Sequence, residues 1–313
     1  MRLISTCVPL LLSVVSLCAQ PVLPLKVVPG WFRMPAGWSF GETASVAIDA
    51  RQHAYVVHRG VHPIIEFDAK GAFVRAFGDG MFGRAHAARF DPAGNLWIVD
   101  DDAHVVLRFD SQGHVDMVLG RHRKPGDSVT PARIGPRGAR DEDILKFDRP
   151  TDVAFSPSGD IYVSDGYGNS RIVKFNKDGQ FVKTWGSHGT APGQFDTPHS
   201  VAVDRQGRVY VADRENYRLQ VFTADGEFLQ QWTHVGAPWG LSMAPDQTLY
   251  MCDGYNNRVL RLSLDGRILG AYGTMGKLPG QFTYVHNLTV GPDGAVYTAE
   301  VLNWRPQKFV LAP

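Results

Sequence analysis

Cysteine is nearly missing from this chain: 313 residues hold 3, at Cys7, Cys18 and Cys252. The first two fall in a leading segment that reads as cleavable. One thiol then remains, and an intramolecular disulfide is excluded even in a compartment that would permit one. An excess of charge is missing too. With 32 Lys+Arg against 31 Asp+Glu the net charge is +1, which leaves no basic surplus for nucleic acid. Nor is there an apolar run long enough to span a bilayer. The best candidate, VPLLLSVVSL at residues 8–17, is short, follows Arg2 and precedes Cys18-Ala19. That is the layout of a signal peptide over residues 1–19, predicting a secreted or periplasmic protein with no transmembrane segment. A lipoprotein anchored through Cys18 is the weaker alternative, because Leu17 is bulky where a small residue is wanted.

What the chain has in quantity is Gly (33) and Pro (20), as expected of many short strands joined by tight turns. One unit recurs. An alternating apolar run, a Gly-containing turn and a second run ending in Asp lead, after a gap, to a third run, a turn and a fourth. Copies start near Ser45, His86, Pro150, Pro198, Pro238 and Val285, and the last stops after its third strand. Each unit of ~40 residues has the size of a four-stranded antiparallel propeller blade. The fold expected for residues 20–313 is therefore all-β, a single six-bladed β-propeller around a central channel, acting as a monomer. The segment around Val22 to Val28 is expected to supply the missing strand of the last blade and so cover an edge. Residues 121–146, rich in Pro, Gly and charge, are an insertion between blades two and three that reads as a lid, a binding loop or a solvated connector.

Aligning the blades on the turn after their first strand puts Ala44, His86, Thr151, His199, Trp239 and His286 in one column. First strands line the channel, and alternate blades stand about 120° apart. The three imidazoles are expected to converge on the axis and hold one metal ion with an open face, zinc before other transition metals. The competing reading is channel histidines bonded to water or backbone. The remaining histidines, His58 and His104 among them, read as surface or loop residues. A second column follows the second strand, where Arg59 and Arg214 share a register and Tyr167 lies one place further on. Two arginines suit a substrate carboxylate. A tyrosine beside them and a cation is expected to have a lowered phenol pKa and to serve as general base. Tyr255 repeats Tyr167 in blade five, so repeat chemistry is the alternative for that residue. Asp165, Asp213 and Asp253 recur as structural residues.

The core D-G-x-N-x-R, in DGYGNSR from Asp165 and DGYNNR from Asp253, resembles NHL repeats. SDGYGNSRIVKF, TPHSVAVD, VADRENYRLQVF and VHRG together resemble the peptidyl-α-hydroxyglycine α-amidating lyases across all six blades. The resemblance implies a zinc propeller lyase that cleaves the C–N bond of a peptidyl-α-hydroxyglycine to an amide and glyoxylate. It implies zinc on His86, His199 and His286, catalysis by Tyr167, and supporting arginines at Arg59 and Arg214. It also implies a structural calcium, for which Asn287 (an Asp in the family) and the carbonyls of Val46 and Ala88 are the candidates here, with weakened charge. The chain departs further at Tyr284-Val285, where the family has Met-Pro, and at Gly168, where it has a disulfide cysteine. A propeller binding module with a structural metal, and a calcium lactonase, are the rival functions.

Overall fold

The computed structural model describes residues 20–121 and 146–312 of the chain. The expected signal peptide and nearly all of the insertion lie outside these residues. Six four-stranded antiparallel sheets form the blades. Their inner strands are Thr43–Ile48, Ala85–Phe90, Pro150–Phe155, Pro198–Val203, Pro238–Met243 and Val285–Val290. The last blade closes as expected: Leu25–Val27 pairs antiparallel with Arg305–Leu311 and supplies the outermost strand. The first and last described segments thus share one sheet, which locks the ring without a disulfide.

The apolar residues gather in six clusters, one at each junction between neighbouring blades. Val153, Ile161 and Val173 of blade three pack with Ala87, Val99 and Val106 of blade two, and Ala295 and Tyr297 of blade six pack with Val46 and Val56 of blade one. Period-2 alternation along each strand serves two junctions at once, since opposite faces of one blade meet different neighbours. A buried aromatic recurs in each second strand: Tyr55, Trp97, Tyr162, Tyr210, Tyr250 and Tyr297. Each fills a wedge between blades, and full burial of such a ring contributes roughly 1.5–3 kcal/mol.

One irregularity positions everything that follows. In each inner strand the pairing slips just after the first residue: Thr43 pairs with His58 and Ser45 with Val57, so Ala44 is passed over. His86, Thr151, His199 and His286 are skipped in the same way, and Trp239–Gly240 lies in the corresponding slip of blade five. A bulge re-aims a side chain and frees its backbone carbonyl from the ladder. The histidine column is therefore the bulge column.

The loops entering the inner strands are tied down by a second column. Asp100, Asp165, Asp213 and Asp253 accept backbone N–H groups from Gly83, Asp148, Asp196 and Ala237, and Glu300 accepts from Thr283. Ion pairs to Arg171, Arg218, Arg258 and Arg305 hold four of these buried carboxylates, which supports the structural role read for Asp165, Asp213 and Asp253. In blade one His58 takes this place, with Nδ1 accepting from Gly41 at 3.0 Å. It is fully buried at the end of a strand, which corrects its reading as a surface or loop residue; His104 lies in a loop as read, but is buried there. Apolar patterning could not reveal a histidine doing the work of an aspartate.

Candidate metal centre at the mouth of the channel

His86, His199 and His286 are buried, and one ligand atom from each lies within 4.8 Å of the others. Their Nδ1 atoms are already used. His86 Nδ1 donates to the carbonyl of Thr151 at 2.6 Å, His199 Nδ1 to Trp239 at 2.7 Å, and His286 Nδ1 to Ala44 at 2.7 Å. Each acceptor is the carbonyl freed by the bulge of the following blade. The odd blades thus orient the imidazoles of the even ones, and every Nε2 is left as a lone pair facing the axis. Burial first, with repulsion from nearby arginines, holds all three imidazoles well below their usual pKa, in the neutral form that ligates a metal.

The Tyr167 hydroxyl lies 2.9 Å from Nε2 of His86 and 2.9 Å from Nε2 of His199. One phenolic proton can serve only one of three converging lone pairs. Three buried, pre-oriented acceptors with one donor among them form a set that a cation satisfies. The residues fit a zinc ion.

Tyr167 reaches this place through an inserted residue. The backbone N–H of Arg59 donates to Glu42, that of Arg214 to Thr197 and that of Tyr167 to Arg149, the same rung in three blades. In blade five this rung belongs to Gly254, not Tyr255. Blade three carries one extra residue, Gly166, between its Asp and this rung, so Tyr167 is the counterpart of Arg59 and Arg214 and is no copy of Tyr255. Gly166 has to be glycine: a Cβ there would sit 2.1 Å from the carbonyl oxygen of Pro198.

The two arginines share a backbone rung but differ in reach: Arg214 lies over the phenol, whereas Arg59 is tied to Glu42 and the Ala85 carbonyl. The guanidinium carbon of Arg214 lies 5.4 Å from the Tyr167 ring centre and 5.0 Å from that of Trp239. Its Nε donates to Glu215 at 2.7 Å, and Arg59 pairs with Glu42 at 2.8 Å. Two further arginines, not singled out from the sequence, flank the same phenol: Arg84 at 5.8 Å and Arg149 at 5.2 Å from the ring centre. Both stand two residues before the bulge column, a position a register alignment could have flagged. Even so, burial pushes the Tyr167 phenol up, with Arg214 and Arg84 pulling the other way. The arginines alone do not produce the lowered phenol that was expected.

The calcium expectation fails on geometry. Asn287 Oδ1 accepts from Arg89 at 3.0 Å, and the Val46 carbonyl accepts from Thr289 Oγ1 at 2.7 Å. The same Arg89 guanidinium donates to Asp152 at 2.7 Å, to the carbonyls of Leu241 at 3.0 Å and Leu288 at 3.3 Å, and to Thr289 Oγ1 at 3.2 Å. A side-chain cation fills the inner channel where an ion would need those oxygens. The signal was present in the sequence, as an arginine on a channel-lining strand. The single thiol expected for the mature chain is Cys252, free and buried, and no cysteine bridge occurs among the described residues.

Fold and site together define a six-bladed propeller with a three-histidine centre at one mouth. The NHL repeat family profile matches residues 147–175 and 195–222. Human NHL repeat-containing protein 3 is 31% identical, with 94% of this chain and 90% of that protein covered. Peptidyl-glycine alpha-amidating monooxygenase B of Xenopus laevis is 35% identical over 59% of this chain and 21% of its own length. Peptidyl-alpha-hydroxyglycine alpha-amidating lyase 1 of Drosophila melanogaster is 30% identical over 53% of this chain and 35% of its own length. The chain belongs to the NHL-repeat propeller family. Among solved structures, a streptogramin B lyase superposes with a TM-score of 0.63 at 15% identity, covering 92% of this chain and 97% of that one. A gluconolactonase of Xanthomonas campestris gives 0.64 at 14% identity, covering 88% and 87%. These two likenesses concern the fold alone. No helix among the described residues is long and apolar enough to cross a membrane.

Proposed function

We propose that this is an exported zinc-dependent lyase that cleaves the C–N bond of a peptidyl-α-hydroxyglycine-like substrate, giving an amide and glyoxylate. The observation that carries the reading is the Tyr167 hydroxyl 2.9 Å from two of three converging imidazole lone pairs, with arginines around it. A binding module has no use for a titratable oxygen at that point.

Zinc on His86, His199 and His286 would supply Lewis acidity and positive charge at the mouth of the channel. The chain's own residues do the rest. The three imidazoles arrive neutral and oriented. Tyr167, as the phenolate that a cation on the three imidazoles would favour over the phenol, takes the proton of the substrate α-hydroxyl on Oη. The C–O bond becomes a carbonyl, the C–N bond breaks, its electron pair goes to the amide nitrogen, and that nitrogen gains the proton Tyr167 has carried. Arg214, over the phenol ring, and Arg59, whose charge reaches His86 and His286, offset the negative charge that develops. Relatives named as amidating lyases support the reaction class.

The test compares wild type with His199→Ala for metal content and for glyoxylate release from α-hydroxyhippurate. About one zinc per chain and turnover, both lost in the variant, support the reading. Zinc without turnover on any N-acyl-α-hydroxyglycine overturns the lyase and leaves a binding propeller with a structural metal. Failure to take up any transition metal overturns the centre itself.

A further inference from the structure

The mouth of the channel has two chemically different halves. Arg149 belongs to blade three and Tyr284 to blade six, which face each other across a six-bladed ring. On the first side three of the four arginines near Tyr167 or the histidines are already neutralised: Arg59 by Glu42, Arg84 by Asp101 and Arg214 by Glu215. Arg149 has no carboxylate partner among the described residues, although its guanidinium carbon lies 5.2 Å from the Tyr167 ring centre. Its backbone is held firmly. The N–H donates to His104 Nδ1 at 3.0 Å, and the carbonyl accepts from Tyr167 N at 3.2 Å. It also sits at φ 60°, in the left-handed region that an arginine seldom occupies. The outcome is a half-buried fork of unused donors beside the proton-carrying phenol.

Next to Arg214, whose guanidinium carbon lies 5.0 Å from the ring centre of the buried Trp239, blades five and six present aromatic surface. Trp239 lies 5.6 Å from His199 and 5.8 Å from His286, ring centre to ring centre. Tyr255 packs edge-on to it at 5.2 Å, and Tyr284 lies 5.5 Å away, with 40% and 38% of their surfaces exposed. Tyr284 too is left-handed, at φ 54°, with its N–H donating to Asn257 at 2.8 Å. The wall starts at the histidines and runs outward to solvent.

We propose that the site binds its substrate in one orientation, with the carboxylate on Arg149 and an aromatic N-acyl group against Trp239 and Tyr284. The substrate class is then an N-aroyl or aromatic-residue-terminated α-hydroxyglycine, and Arg149 and Tyr284 are its specificity determinants. The proposal rests on the lyase reading for the identity of the carboxylate, but it can be tested without turnover.

The probes are hippurate, its uncharged amide hippuramide, and N-acetylglycine, titrated calorimetrically into the zinc-loaded protein. Wild type is expected to bind hippurate most tightly. Arg149→Asn, a residue that tolerates this φ, should weaken hippurate roughly tenfold or more, as for a charged hydrogen-bonded pair, and leave hippuramide within about twofold. Tyr284→Asn should weaken hippurate several-fold and leave N-acetylglycine unchanged. Retained zinc stoichiometry shows that each variant is folded. If Arg149→Asn leaves the hippurate preference intact, or wild type fails to bind hippurate, the orientation is overturned. Glyoxylate release by wild type is scored separately, so loss of the lyase reading and loss of this proposal give different results.

Discussion

Replacing Arg89 by Met should cost the propeller much of its stability. The guanidinium of blade two reaches Asp152 in blade three, Leu241 in blade five and three residues of blade six, while Ser200 of blade four closes on Asp152. Five blades are joined at one point on the axis. Met keeps most of the stem but leaves Asp152, 0% exposed, without its counter-charge. Breaking a buried pair in this way costs about 3–5 kcal/mol. At about 2 °C per kcal/mol for a large domain, the melting temperature should fall by roughly 6–10 °C. The pH dependence has a definite sign. Burial already pushes the Asp152 carboxyl up, with Arg89 and Ser200 pulling it down. Without Arg89 it takes a proton at still higher pH, and a neutral carboxyl needs no cation. The deficit should therefore be largest at neutral pH and shrink on acidification, and Asp152→Asn in the Arg89→Met background should restore part of it. Thermal melts followed by circular dichroism, in EGTA and in millimolar calcium, read all of this. A variant melting within roughly 2 °C of wild type would refute the clasp. A calcium-dependent rise in the wild-type melt would refute the claim that a guanidinium stands in for an ion.

Tyr167→Phe removes one oxygen and leaves the three imidazoles and their carbonyl partners in place; zinc content should stay at the wild-type level while glyoxylate release falls about 10²-fold or more, and unchanged turnover would remove Tyr167 from the chemistry. Gly166→Ala places a methyl 2.1 Å from the Pro198 carbonyl oxygen and 3.0 Å from Thr151 Oγ1, so the loop must shift and carry Tyr167 with it. Turnover should fall together with a loss of melting temperature, and a fully active, equally stable variant would show that the inserted residue does not position the phenol.

How much of this was legible beforehand follows from which physical effects leave a trace in one dimension. Alternating runs and Gly turns are local, so the blades and the closing strand near Val22–Val28 could be read directly. The three histidines were visible because the repeat supplies a register, and in a propeller register is height along the axis. Arg59 and Arg214 came from the same device. What stayed hidden depends on residues far apart in the chain. Arg149 stands out because it has no carboxylate partner among the described residues, and pairing is not written in sequence. His58 replaces an aspartate through one ring nitrogen. Arg89 fills the channel by reaching residues about 200 positions away. Tyr167 repeats Tyr255 in its letters, yet its hydrogen-bond rung makes it the counterpart of Arg59 and Arg214.

The alternation of histidine with other residues follows from the bulges. An imidazole whose Nδ1 must be held needs a free carbonyl nearby, and the bulge of the next blade offers one. That next residue cannot be a histidine making the same demand at the same height without crowding six rings around one axis. It can be small, as Ala44 and Thr151 are, or it can turn a large ring aside, as Trp239 does beside His199 and His286. Six blades therefore hold three inward-facing histidines, each oriented by the backbone carbonyl of a neighbour. Side-chain identity at Ala44 is consequently free to vary within steric limits, whereas Thr151 also donates its buried Oγ1 to the Pro198 carbonyl at 2.7 Å, and the bulge itself is fixed. The three-histidine cluster is a property of the backbone irregularity first and of the histidines second.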